Sequence, residues 1–216
     1  MTDVTADRMT PGDGERALRL RHGTAGRAAR FRDEQTLTHV NARMREFVER
    51  QEMFFLATAD RHGACDNTFR AGPPGFLRVL DEHTLAYPEY RGNGVLASLG
   101  NIEENPHVAV LLVDFLRDGI GLHVNGRARL VEDAVMRTAV PGLPVDAVPG
   151  RRPVLWVEIT VEEAYVHCAK HIPRLRKASR DGEPDGRAWG TDDARRKGGD
   201  YFGVRADRRR GGADRG

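Results

Sequence analysis

Residues 120–131 read Ile-Gly-Leu-His-Val-Asn-Gly-Arg-Ala-Arg-Leu-Val, and the fold class turns on them. Ile120, Leu122, Val124, Ala128 and Leu130 share one parity, while His123, Asn125, Arg127 and Arg129 share the other. Successive side chains of a strand point to opposite faces, so alternation over this length marks a β-strand with one face in a core. The other face meets water, a ligand or a partner chain. Val154 to Val161 repeats the pattern, with Leu155, Val157, Ile159 and Val161 on one side. Val108 to Leu116 is nearly all apolar and reads as a central strand.

Upstream, Met53 to Ala59 is a short apolar run closed by Asp60-Arg61-His62-Gly63, which predicts a buried strand and a tight turn. Ala64 to Ala71 is the returning strand. Gly72-Pro73-Pro74-Gly75 then breaks the ladder, because neither proline can donate a backbone hydrogen bond. Phe76 to Leu80 and Thr84 to Tyr87 form a further strand pair around Asp81-Glu82-His83. Leu37, Val40, Met44, Phe47 and Val48 recur at helical spacing, predicting a helix from near Thr36 to near Gln51. Val95, Leu96, Leu99 and Ile102 mark a short helix that stops before Asn105-Pro106. The sum is a mainly β, α+β chain. Its antiparallel sheet carries two or three short helices and is long enough to close on itself and hide its edges.

The 216 residues, 39% apolar and 31% charged, suit one domain with terminal extensions. The mean hydropathy of −0.55 means that part of the chain is too polar for a core. Residues 1–35 lack periodicity and read as a flexible arm, 36–175 as the folded domain, and 176–216 as a polar, mobile tail. Thirty-four basic against 32 acidic residues give a net charge of +2, without the clustered excess of a nucleic-acid binder. The Arg208-Arg209-Arg210 run solvates the tail on this reading. Residues 1–30 hold no apolar run, which predicts no signal peptide, no membrane contact and a cytoplasmic location. Cys65 and Cys168 form no Cys-x-x-Cys pair, so zinc ribbons and thioredoxin-type motifs are excluded. Cys65 beside Asp66 reads as a structural thiol rather than a nucleophile.

The residues that could carry chemistry lie between Arg70 and Pro106. Gly92-Asn93-Gly94 enters the short helix, and unpaired N–H groups at the positive end of a helix dipole suit a phosphate. Asn93 would cap the helix or donate its amide, with Ser98 and Asn101 further along. A plain turn with a cap fits the same residues. There is neither a Walker A loop nor a dinucleotide fingerprint. His167 and His171 stand four apart, but no Glu follows the first as a zincin requires, and no metal is expected. No acid–base pair stands out, and catalytic residues are not assigned.

The Ile102-Glu103-Glu104-Asn105-Pro106 helix end, the Asn125-Gly126-Arg127-Ala128 strand and the order of elements from Thr36 to Lys170 resemble the pyridoxamine-phosphate-oxidase-like superfamily. The resemblance implies an antiparallel split β-barrel and a homodimer with FMN at its interface. It places Arg70 beside the flavin phosphate or ring, Tyr87 on a strand flanking the ring, and Asn93 and Ser98 in the phosphate loop. Gly75, Phe76, Asn101 and Arg127 complete the implied set. Lys170 and Arg174 would reach the phosphate or an anionic substrate, since Arg offers a bidentate fork and Lys a point charge. Arg127 and Arg129 would line the interface or the pocket, or simply an exposed strand face. The chain departs from the oxidase pattern in two places: Gly92-Asn93-Gly94-Val95 stands where consecutive basic residues are expected, and the C-terminal Arg-x-His signature is missing. The resemblance is closer to an actinobacterial-type branch using flavin or deazaflavin coenzymes. The expectation is an FMN-dependent oxidoreductase acting on a small-molecule substrate. The alternative is a flavin or haem carrier or sensor without turnover, with His167 and His171 either near a haem or in a polar segment over the barrel mouth.

Overall fold

The computed structural model describes residues 12–145, 152–177, 199–205 and 208. Eight strands form one antiparallel sheet: β1 (Thr36–Leu37), β2 (Met53–Ala59), β3 (Cys65–Ala71), β4 (Arg78–Asp81), β5 (Thr84–Tyr90), β6 (His107–Val113), β7 (Gly121–Val131) and β8 (Pro153–His167). The order is β3-β2-β6-β7-β8-β5-β4, with β1 added on β8. The helices are α1 (Asp13–Arg21), α2 (Ala25–Gln35), α3 (Ala42–Glu49), α4 (Ala97–Glu104) and α5 (Asp133–Ala139).

The alternation read in residues 120–131 is the alternation observed. Leu122, Val124 and Ala128 are buried in the main core, and Arg127 and Arg129 are exposed. The pattern breaks at Asn125 and Gly126, where the β7–β8 register shifts. A Cβ on Gly126 would lie 2.0 Å from the Thr160 carbonyl oxygen, so only glycine fits this close approach. β8 runs 15 residues, far enough to pair with β7, β5 and β1.

The sheet curls so that the β3 side approaches the β4–β5 side without pairing to it, which makes the barrel a split one. Side chains bridge the gap. The Phe54 ring stacks on Phe76 at 5.5 Å and meets Tyr87 edge-on at 5.1 Å. Phe54, Leu56, Leu85, Val110, Leu112, Val124 and Ile159 fill the interior. Each such side chain contributes about 1.5–3 kcal/mol through burial. A smaller core under α5 joins Ala86, Val131, Met136, Leu143 and Trp156, with the Trp156 indole donating to Asp133 Oδ1 at 2.8 Å.

Three expectations are corrected. The helix predicted from Thr36 starts at Ala42, because Thr36 and Leu37 pair with Tyr165 and Ala164 as β1. Asn41 then starts α3, its Oδ1 accepting from the Met44 amide at 3.0 Å. Five helices stand among the described residues, rather than two or three. Order does not begin near Thr36: residues 13–35 form α1 and α2, neither of which holds a buried residue. A helix without a buried face leaves no apolar stripe to read; Glu15 pairs with Arg19 within α1 and with Arg32 across to α2 instead. Most of the polar C-terminal segment, Arg209 and Arg210 included, lies outside the described residues. No described helix is long and apolar enough to cross a membrane.

Candidate functional site

β3 turns Asp66, Thr68 and Arg70 to one face, because they share a parity. Glu89 of β5, the 92–96 loop and the start of α4 face them across a cleft of about 420 Å³. The loop is shaped by Gly94 at φ 81° and by Leu96 at φ 55°. Leu96 is the N-cap of α4, and no side chain caps the helix. Ala97, Ser98 and Leu99, whose amides the helix cannot pair internally, line the cleft, and no side-chain acceptor meets those amides among the described residues. Asn93 is not the cap the sequence suggested. Its Oδ1 accepts from the Val95 amide at 2.9 Å, closing an Asx-type turn inside the loop.

Arg70 lies at the base of the cleft. Its Nη1 donates to Thr68 Oγ1 at 2.9 Å, and its Nε lies 3.0 Å from Glu89 Oε2. Distance makes this an ion pair, but it is not aligned as a hydrogen bond. Among the described residues, no aligned hydrogen bond reaches Arg70 Nε, Glu89 Oε2 or the Tyr87 hydroxyl, all buried, although the Arg70 side chain is close enough to act on both Glu89 and Tyr87. Burial pushes the Glu89 carboxyl above the usual carboxylate range, against the pull of Arg70. Burial likewise raises the Tyr87 phenol, with Arg70 opposing and Glu89 reinforcing the shift. Ser98 Oγ donates to Asp66 Oδ2 at 2.8 Å, fastening α4 to β3.

The structure thus brings Arg70, Asn93 and Ser98 into one cleft and distributes the other predicted residues elsewhere. Asn101 donates to Thr58 Oγ1 at 3.0 Å, which holds α4 on β2. Tyr87 is fully buried. Gly75 and Phe76 line a second cleft, of about 270 Å³, with Arg78 and Trp156. Arg127 is exposed beside His107, its Nη1 at 3.1 Å from Nε2, and Arg129 pairs with Glu158 at 2.6 Å. Lys170 and Arg174 are exposed in the segment after β8 and line neither cleft.

His167 closes β8 and His171 sits in a turn at φ 70°, so the two are not on one helix face. His167 Nδ1 instead meets His123 Nε2 at 2.9 Å. Burial, then His167, holds His123 below its ordinary pKa. Among the described residues, no cluster of three His, Cys, Asp or Glu side chains could hold a metal ion. Sequence reasoning missed Glu89, Asp66 and Thr68 as cleft residues. The shared parity of 66, 68 and 70 could have found two of them; Glu89 comes from a strand far along the chain.

No curated protein matches the sequence. Among solved structures, HupZ from Group A Streptococcus is similar at 19% identity, covering 63% of this chain and 99% of that one, with a TM-score of 0.46. General Stress Protein 26 from Bacillus anthracis is similar at 19% identity, covering 56% and 89%, with a TM-score of 0.41. HutZ, the haem storage protein from Vibrio cholerae, is similar at 14% identity, covering 56% and 89%, with a TM-score of 0.38. The sequence profile of pyridoxamine 5'-phosphate oxidase matches residues 40–168, from just before α3 to just past the end of β8. With that match over more than half its length, and with its sheet closed as a split barrel, this chain belongs to the pyridoxamine 5'-phosphate oxidase family.

Proposed function

We propose that the protein is an FMN-dependent oxidoreductase acting on a small molecule, as a cytoplasmic homodimer with its cofactor at the subunit interface. One observation carries the reading: the uncapped start of α4 and the Arg70 guanidinium open into the same cleft. Helix amides and an arginine fork are the donors that a phosphate monoester needs. The buried, unsatisfied Arg70 Nε and Tyr87 hydroxyl beneath them also fit a polar ligand. Bound FMN would supply hydride transfer at its ring, while the protein supplies position, electrostatics and exclusion of water. Arg70 and the α4 amides would grip the phosphate, Asn93 would hold the loop in shape, and Gly75 and Phe76 would border the ring. Lys170, Arg174 and Arg127 would serve a cleft completed by the partner.

A flavin or haem carrier or sensor without turnover is the second reading. It is favoured by the pairing of the cleft carboxylates, Asp66 with Ser98 and Glu89 with Arg70. The absorbance spectrum of freshly purified protein, with mass spectrometry of the released ligand, tests both readings. A flavin spectrum with substrate-dependent bleaching supports the enzyme, and a Soret band points to haem. A colourless protein that takes up no added FMN overturns the proposal.

A further inference from the structure

The anion site proposed above already contains an anion. Glu89 and Arg70 come from opposite sides of the barrel's split and meet at its base, with 12% and 19% of their side chains exposed. The contact is a poor one. At 3.0 Å it is close enough for an ion pair, yet Arg70 Nε and Glu89 Oε2 both lack an aligned hydrogen bond. Arg70 Nη1 is committed to Thr68. Buried groups left in this state carry most of their desolvation cost and recover only part of it from each other.

Resting on the FMN reading of this cleft, we propose that Glu89 is an exchangeable counter-ion of Arg70: an anion entering the cleft displaces the Glu89 carboxylate, and one proton enters with it. The proton bonds to a Glu89 carboxyl oxygen. Arg70 keeps its charge and changes its partner from that carboxylate to the incoming anion.

The charges around the pair explain why a proton is needed. β3 contributes Asp66 and Arg70, and β5 contributes Glu89 and the Tyr87 phenol. Residues 92–99, which close the cleft from the α4 side, contain no ionisable group. Among the described residues lining the cleft, an anion beside Arg70 would therefore face two carboxylates and a single cation. Asp66 is held by Ser98, away from the pair. Glu89 is the carboxylate whose charge burial already disfavours, so it is the one that neutralises. Its protonated form can also donate a hydrogen bond to the ligand or to a neighbouring acceptor.

The test uses the full-length protein and two probes: FMN and inorganic sulfate, which stays a dianion between pH 6 and 8. Sulfate is titrated calorimetrically into ligand-free wild type and Glu89→Gln, in buffers of different protonation enthalpy. Wild-type affinity should fall by up to about tenfold per pH unit as pH rises, with close to one proton taken up per sulfate. Glu89→Gln should bind sulfate at least about tenfold more tightly than wild type at pH 8, with no proton uptake. The proton count on the wild type stands alone if the variant does not fold. Sulfate binding without proton uptake and with equal affinity in both proteins, or no sulfate binding by either, overturns the proposal. The two readings fail separately. If FMN binds tightly but neither probe takes up a proton, the FMN site stands and the counter-ion falls. If sulfate behaves as expected while FMN neither binds nor competes, the counter-ion stands and the cofactor assignment falls.

Discussion

Arg70 has three polar neighbours: Thr68, which shares its face of β3, and Glu89 and Tyr87, which no local reading of that strand would have joined to it. Replacing it by alanine removes the one cation that lines the cleft among the described residues. FMN binding to Arg70→Ala should weaken by about 1.5–3 kcal/mol, the range for a hydrogen bond to a charged group. Fluorescence titration of the ligand-free protein checks this, with a melting curve to establish folding. Unchanged affinity in a folded variant would place the phosphate elsewhere. Asn93 has a smaller role, since its amide oxygen orders the loop rather than capping the helix. Asn93→Ala should cost about 1 kcal/mol of FMN affinity or less, through one lost turn hydrogen bond. A larger loss would mean that the side chain touches the ligand.

At the scale of elements, β7 and its turns carry the fold's tightest constraints. Alanine at Gly126 would force the β7–β8 ladder apart at Thr160. Gly126→Ala should destabilise the protein by about 1–3 kcal/mol, as overpacking does, and lower its melting temperature. An unchanged melting temperature would show that the strands slide to accommodate the methyl group. The β6–β7 turn rests on Asp114. Burial works to raise its carboxyl, but the amides of Arg117, Leu116 and Asp118, with the Arg50 guanidinium, outweigh burial and hold it below its usual value. A carboxyl with a depressed folded pKa contributes stability above its unfolded pKa and loses it as pH falls through the folded value. Wild type should therefore exceed Asp114→Asn in melting temperature near neutral pH. The gap should narrow below about pH 4, the ordinary carboxylate range. A gap independent of pH would remove Asp114 from the acid response.

The whole molecule leaves apolar side chains in water around the cleft loop and on the outer face of β3. Val95 and Leu96, in the loop before α4, are 70% and 55% exposed, and Phe69 on the outer face of β3 is 53% exposed. Covering them is what a partner subunit would do, and light scattering should find a homodimer at micromolar concentration. A monomer with its flavin fully bound would defeat that expectation. The chain's first segment should matter little. α1 and α2 bury no residue, and their described ring contact with the barrel is Phe31 against Tyr165 at 5.8 Å. We propose residues 36–175 as the folding unit. Removing residues 1–24 should leave the melting temperature nearly unchanged, and a large drop would show that α1 contributes to the fold.

The strands and the class of fold were legible in the sequence because a strand's evidence is local. Alternation in residues 120–131, the apolar run at 53–59 and the breaks at 60–63 and 72–75 each act within a few residues, and all held. So did the glycine loop before α4. α1 and α2 were not legible, since they bury no face and carry no stripe. Neither was the true start of α3, because pairing of Thr36 and Leu37 with a strand more than a hundred residues away overrode their helical spacing. The cleft divides in the same way. Asn93 and Ser98 could be named from their surroundings in the chain and Arg70 from the family resemblance, but Asn93's turn and the uncapped helix depend on backbone angles that only the folded loop sets. Glu89 reaches Arg70 only because the sheet curls until its two sides face each other. Hydrophobic pattern specifies which residues turn inward, but closing the sheet decides which of them meet.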